Sequence, residues 1–172
     1  TNFAHGLYQY CISIALLKTV NSLEGELILG VVFAPALNQL FYAEKGKGAY
    51  FQNGKNPAKK IHVSKIKKVS QSLLVTGFPP TNKELSLKYF AKMMYHCQAI
   101  RRLGSAALDL CYTAAGIFDG HWEFGLKPWD VAAGSLIVNE AGGTVTDTKG
   151  NLLNLSGQDL LASNGKIHKE LV

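Results

Sequence analysis

The sequence predicts an α/β (α+β) layered fold: an antiparallel meander followed by a mixed α/β half. Three observations carry this. Residues 10–52 alternate β-branched and aromatic runs with turn residues, residues 83–141 hold three segments of helical spacing, and short apolar strands lie between and after those helices. The 172 residues are enough for a full core, since a folded chain of this mass exposes roughly 8,300 Å² of about 27,000 Å² unfolded. An apolar fraction of 47% and a charged fraction of 17% exclude a disordered or fibrous chain.

Taken in order, residues 10–17 and 26–33 read as strands joined by a turn at 21–25, and Pro35 closes the second. Residues 39–44 and 48–52 form a hairpin around Lys45-Gly46-Lys47, and Asn53-Gly54 marks a further turn. Residues 73–77 make a short buried strand stopped by Phe78-Pro79-Pro80. Leu87, Phe90, Ala91 and Met94 give 83–97 the spacing of an amphipathic helix. A second helix runs over 105–115 with Ser105 as N-cap and Gly116 past its end, and a third over 129–141, after Pro128 and before Gly142-Gly143. Residues 118–124, 144–147 and 160–163 complete the strands. The expected division is residues 1–75, a sheet domain, and 76–172, an α/β domain, joined tightly as one unit.

The net charge of +6 is uneven: residues 1–75 carry nine lysines against three glutamates, whereas residues 76–172 balance nine basic against nine acidic groups. Six lysines fall between Lys55 and Lys68. Such a stripe can bind nucleic acid, but no aromatic residue is interleaved for base stacking, which favours a solvated hairpin or edge strand. The longest apolar runs, such as 28–37, are too short to span a bilayer, and no basic-then-apolar leader opens the chain. Cys11, Cys97 and Cys111 are odd in number and lack a C-x-x-C spacing. They predict neither a disulfide framework nor a zinc site, and they point to the cytoplasm.

Lys127-Pro-Trp-Asp130 is the most informative segment. A carboxylate in the first turn of a helix offsets the dipole, and it can also ligate a hard cation such as Mg²⁺; spacing alone favours the first role. With Val131-Ala-Ala-Gly134 and Asn139-Glu-Ala-Gly-Gly143, the segment closely resembles the C-terminal signature W-D-V-A-A-G-x-x-I-V-x-E-A-G-G of the inositol monophosphatase family. Arg101-Arg-Leu-Gly-Ser-Ala-Ala resembles that family's R-x-x-G-[ST]-A-A, Glu123 stands seven residues before Asp130 as it does there, and Thr1-Asn2-Phe3 resembles the tail of D-P-[IL]-D-G-T-x-N-[FY]. The resemblance covers the whole chain and is nearest to bacterial SuhB-like members.

The resemblance implies an α-β-α-β-α sandwich whose N-terminal helices are missing here. It implies Mg²⁺-dependent hydrolysis of a polyol phosphate, inositol 1-phosphate first, with lithium as inhibitor. By match of position, Asp130 is a metal ligand and Thr1 positions the attacking water and touches substrate. Gly104, Ser105 and Ala106 line the substrate pocket, Glu123 accepts hydrogen bonds from polyol hydroxyls, and Arg101 belongs to the substrate site or to the framework. Trp129 is expected in the core, and His5, His62, His96, His121 and His168 match no family ligand and read as ordinary surface or core residues. The remaining metal ligands of the family would all precede Thr1, so a polypeptide of these residues alone is expected to be inactive and prone to aggregate. The alternatives are a SuhB-like protein contacting RNA polymerase or RNA, and a phosphatase for fructose bisphosphate or nucleotide 3′-phosphates. A homodimer without membrane contact is expected.

Overall fold

The apolar runs of the first half fold as an antiparallel meander in the computed structural model, which describes residues 1–19, 25–79, 82–157 and 159–172. Strands β1 (Ile12–Lys18), β2 (Glu26–Ala34), β3 (Gln39–Glu44), β4 (Gly48–Asn53) and β5 (Lys59–Ile61) pair in sequence order. Residues 21–24 of the expected first turn lie outside the described residues. Pro35 opens a single 3-10 turn, Pro35–Leu37, that reverses the chain into β3. The sequence had not resolved β5. It is drawn from the lysine-rich stretch and forms the sheet edge with Lys59 and Lys60 exposed, so the stripe is a solvated edge.

The second half builds another five-stranded sheet from β6 (Leu73–Thr76), β7 (Ala99–Arg101), β8 (Gly120–Phe124), β9 (Thr144–Thr146) and β10 (Asp159–Ser163), in the order β7-β6-β8-β10-β9. Strand β6 is parallel to both β7 and β8, and β10 is antiparallel to β8 and β9. Helices α1 (Lys83–Met94), α2 (Ala106–Ala114), α3 (Pro128–Glu140) and α4 (His168–Leu171) complete the order. Three-residue β7 and the C-terminal α4 are too short to show a period, and sequence patterning had placed neither.

Helices α2 and α3 form a layer between the sheets. Every residue of α3 from Val131 to Val138 is buried, which its apolar sequence on all sides requires. It packs with α2 and with Val32, Ala34, Phe41, Ala43 and Ala49 of the first sheet in one core that draws on both halves of the chain. Close approach depends on glycine. A Cβ on Gly30 would lie 2.7 Å from the Ala133 carbonyl oxygen, and one on Gly134 would lie 2.6 Å from Leu110. Beyond the second sheet, Met93 of α1 packs with Trp122, Phe124, Leu161 and Leu171. At the far end of α3, the Glu140 carboxylate accepts the backbone N–H groups of Gly46 (2.7 Å) and Gly48 (2.8 Å), tying down the β3–β4 turn.

The layers are therefore sheet, helices, sheet, helix, with nothing described on the outer face of the first sheet. There Ile12, Ile14 and Leu16 are each more than half exposed, and the molecule presents 9,501 Å² to solvent. That exceeds the roughly 8,300 Å² of a closed monomer of this mass.

Gly134→Ala tests the α2–α3 contact. In an open helix the change adds up to about 1 kcal/mol of stability. Here the clash with Leu110 should reverse the sign and cost about 1–3 kcal/mol, read as a lowered urea midpoint at unchanged slope.

Candidate functional site

Strands β6, β7 and β8 run in one direction, so their C-terminal ends emerge together. Helix α1, which follows β6, packs on one face of the sheet and α2, which follows β7, on the other. A crevice opens where the chain diverges in this way. The cleft found there has a volume of about 530 Å³ and is walled by Gly77 after β6, Arg102 and Gly104 after β7, and Glu123 and Gly125 at the end of β8.

Thr1, Gly104, Ser105, Ala106, Glu123 and Asp130 all line this cleft. Arg101 does not. It is exposed, and its Nη1 donates to the Ile100 carbonyl at 3.0 Å, while its neighbour Arg102 faces the cleft. Nothing in the Arg-Arg pair itself could have chosen between them, because the choice depends on where β7 ends. Asn2, buried at the N-terminal turn, donates from Nδ2 to the carbonyls of Gln9 and Leu103, both at 2.8 Å, and so fastens that turn to the loop before α2. Gly104 in that loop has φ +84°, a left-handed conformation that disfavours any side chain.

Two helix N-termini point into the cleft, α2 through Gly104–Ala107 and α3 through Trp129 and Asp130. Ser105 occupies the N-cap of α2, but its side chain makes no capping bond; its Oγ lies 3.6 Å from Cys11 Sγ instead. The expected cap is thus replaced by a side chain turned to the cleft wall. Burial pushes the Cys11 thiol up, against the Ser105 hydrogen bond, which makes it a poor nucleophile. Trp129 is also not in the core: it is 68% exposed at the cleft rim, because it precedes the point where α3 enters the layer.

Asp130 sits in the first turn of α3. One oxygen accepts the Lys127 N–H at 2.9 Å, and no hydrogen bond to the other is found among the described residues. Burial raises its pKa, the Lys127 N–H opposes this, and the charge of Glu123 raises it further. Two carboxylates on one wall suit a cation, and Asp130 offers it the oxygen not engaged by Lys127.

Behind the wall, Glu123 and the core residue His121 meet Asp109, a grouping that the sequence motifs do not indicate. His121 Nε2 lies 3.2 Å from Glu123 Oε2, and donor atoms of Asp109, His121 and Glu123 fall within 4.8 Å of one another. Asp109 and His121 are wholly buried; among the described residues, neither Asp109 oxygen nor His121 Nδ1 has a hydrogen-bond partner. Burial pushes the Asp109 carboxyl up to about 7; His121 draws it down, Glu123 raises it and Arg102 draws it down. A signal did exist: His121 and Glu123 are two apart in a strand and so share a face, and Asp109 interrupts the apolar run Ala106-Ala-Leu-Asp-Leu-Cys111.

The sequence profile of the inositol monophosphatase family matches residues 1–172. The chain belongs to this family. It is 42% identical to the putative Nus factor SuhB of Neisseria meningitidis serogroup B over all of its length and 63% of the relative's. It is also 42% identical to the fructose-1,6-bisphosphatase/inositol-1-monophosphatase of Thermotoga maritima, over 99% of its own length and 62% of the relative's. The solved inositol monophosphatase of Anabaena (Nostoc) sp. PCC 7120 superposes with a TM-score of 0.88 at 39% identity, over 99% of this chain and 65% of that one. The chain thus spans less than two thirds of the family members it matches.

Family membership sharpens one placement. In the family pattern T-x-N-[FY] the threonine stands two places before the asparagine, whereas Thr1 directly precedes Asn2. Thr1 therefore occupies the variable position, and the water-positioning role assigned by that match does not transfer to it. It remains a cleft-wall residue.

Asp109 should make stability depend on pH. Its ordinary pKa is 3.8 and its folded value about 7, so the folded chain holds the extra proton between them. Its contribution is complete below about pH 4 and declines as pH rises through about 7. Asp109→Asn should flatten this decline, read as urea midpoints from pH 4 to 8.

Proposed function

We propose that the protein is a Mg²⁺-dependent phosphatase that hydrolyses the phosphate monoester of a polyol, with inositol 1-phosphate as first candidate. The observation that carries this reading is the pairing, in one cleft, of the uncapped N-terminus of α2 with the carboxylates of Asp130 and Glu123. Helix N-termini receive phosphate oxygens, and the carboxylates serve a cation and hydroxyl groups, so the cleft offers a place to each part of a polyol phosphate.

Asp130 would hold the cation with the oxygen that the Lys127 N–H leaves free. Bound there, Mg²⁺ would supply positive charge against the phosphate dianion and the departing alkoxide. The N–H groups at the start of α2 orient the phosphate, while the side chain of Ser105 stays turned to the wall. Glu123 accepts hydrogen bonds from the alcohol portion, and as an anion it disfavours a second phosphate, which ranks fructose bisphosphate below inositol phosphate. The half-buried Cys11 and the wholly buried His121 take no part as nucleophiles.

A second reading has its own observation. The similarity to a protein named Nus factor SuhB supports contact with RNA polymerase or RNA, and the exposed Lys59 and Lys60 on β5 offer a basic edge for it. Salt-dependent RNA binding that is lost on substituting these two lysines, with turnover intact, would establish this role beside catalysis. No helix among the described residues is long and apolar enough to cross a membrane. A cytoplasmic homodimer is the assembly we propose.

Asp130→Asn in the full-length protein should lower turnover of inositol 1-phosphate at ordinary Mg²⁺ by at least about 100-fold with little change in Tm, because asparagine can still receive the Lys127 N–H but lacks the charge. Wild-type turnover would make Asp130 a helix cap alone. Glu123→Gln should raise KM for inositol 1-phosphate more than it lowers kcat, since its hydrogen bonds exist in ground and transition states alike.

A further inference from the structure

Glu123 is a long, flexible side chain at the end of a strand, yet its carboxylate is enclosed. On one side stands Gly77, the residue that follows β6. A Cβ at that position would lie 2.0 Å from Glu123 Oε1, 2.2 Å from Cδ and 2.5 Å from Oε2, separations no real side chain can adopt. The φ of Gly77 is not in the left-handed region, so the backbone there would accept any residue. What excludes a side chain is the carboxylate itself. On another side, His121 Nε2 meets Oε2 at 3.2 Å. Behind both lies Asp109, wholly buried, brought from α2 to within 4.8 Å of the pair.

Burying an aspartate and a histidine against each other costs stability unless they serve one another or a third group. Here the third group is a carboxylate on the cleft wall. We propose that Gly77, His121 and Asp109 are positioning residues that hold the Glu123 carboxylate in one orientation, and so set the preference of the cleft for a hydroxyl-rich alcohol. This rests on the reading of Glu123 as the acceptor of substrate hydroxyls. Gly77 leaves the space the carboxylate fills, and His121 engages Oε2. Oε1, for which no hydrogen bond is found among the described residues, is then left to accept a hydroxyl, and Asp109, within 4.8 Å of the pair but hydrogen-bonded to neither, backs the imidazole. An acceptor fixed in advance loses less freedom when substrate arrives than one that must be ordered at that moment. The same donors could surround a cation, but His121 and Glu123 already meet at hydrogen-bond distance, so a shared proton suffices to join them.

The test compares two monoesters in the full-length protein: inositol 1-phosphate, and phenyl phosphate, which has the same phosphate and no hydroxyls. Gly77→Ala and His121→Phe should each raise KM for inositol 1-phosphate about tenfold, the scale for loss of a hydrogen bond to a charged group, with a smaller change in kcat. KM for phenyl phosphate should stay within about twofold. Asp109→Asn, which keeps the shape and a hydrogen-bonding group, should retain more of the preference than Asp109→Leu. Glu123→Gln is the reference. If it discriminates between the two esters while Gly77→Ala and His121→Phe do not, the positioning role is overturned and the role of Glu123 stands. If Glu123→Gln affects both esters alike, the reading of Glu123 fails and the proposal falls with it. Should Gly77→Ala fold poorly, the double variant with Glu123→Ala decides. Removing the carboxylate should restore the Tm of Glu123→Ala alone, and failure to do so would make Gly77 a backbone requirement and overturn its part. One equivalent of Zn²⁺ retained by the wild type after dialysis, and lost in Asp109→Asn, would make the cluster a cation site and likewise overturn the proposal.

Discussion

The burial of α3 is the constraint on which the other layers depend. A helix apolar on every side cannot stop at one partner; it must be covered by the first sheet on one flank and by α2 on the other. Gly30 and Gly134 let both neighbours approach to backbone distance. Once α3 is seated, its two ends do different work. Glu140 at the C-terminal end receives two N–H groups of the β3–β4 turn. Asp130 at the N-terminal end lies at the cleft, with its first-turn position fixed by the Lys127 N–H.

The cleft follows from strand direction more than from any single side chain. Three parallel strands ending at one edge, with α1 and α2 leaving on opposite faces, produce a crevice floored by loops. Helix α2 starts at this crevice with no side-chain cap, so the fold provides an anion-receiving surface there before any charged residue is added. The carboxylates of Asp130 and Glu123 then add the opposite requirement. Burial raises the pKa of Asp130, and the charge of Glu123 adds to that cost of placing two anions on one wall. A cation or a set of hydroxyl donors relieves it.

Two features of the molecule are costly in isolation. The outer face of the first sheet leaves Ile12, Ile14 and Leu16 in water, and the buried Asp109 has no hydrogen-bond partner for either oxygen among the described residues. The first is a cost in apolar hydration spread along a strand. The second is concentrated in one group, and burial answers it by shifting the protonation of Asp109 toward neutrality.

Much was legible in the order of residues. Alternation gave β3 at its full extent and β2 and β4 to within a residue, because each is long enough to show period two on a half-buried sheet. Helix α3 could be read from Pro128 and the Gly142-Gly143 stop, and the W-D and G-S-A-A motifs marked the residues that meet in the cleft. Short elements escaped. Strands β5 and β7 have three residues each, too few for a period, and exist because a neighbouring strand offers its edge. The choice of Arg102 over Arg101, the exposure of Trp129 and the turn of Ser105 toward Cys11 were likewise settled only when the elements packed. Local sequence thus determined which segments alternate or coil and which motifs they carry. The tertiary structure decided which side chains meet: strand periodicity sets His121 beside Glu123 on β8, but only sheet pairing brings Gly77, which follows β6, and only the packing of α2 brings Asp109.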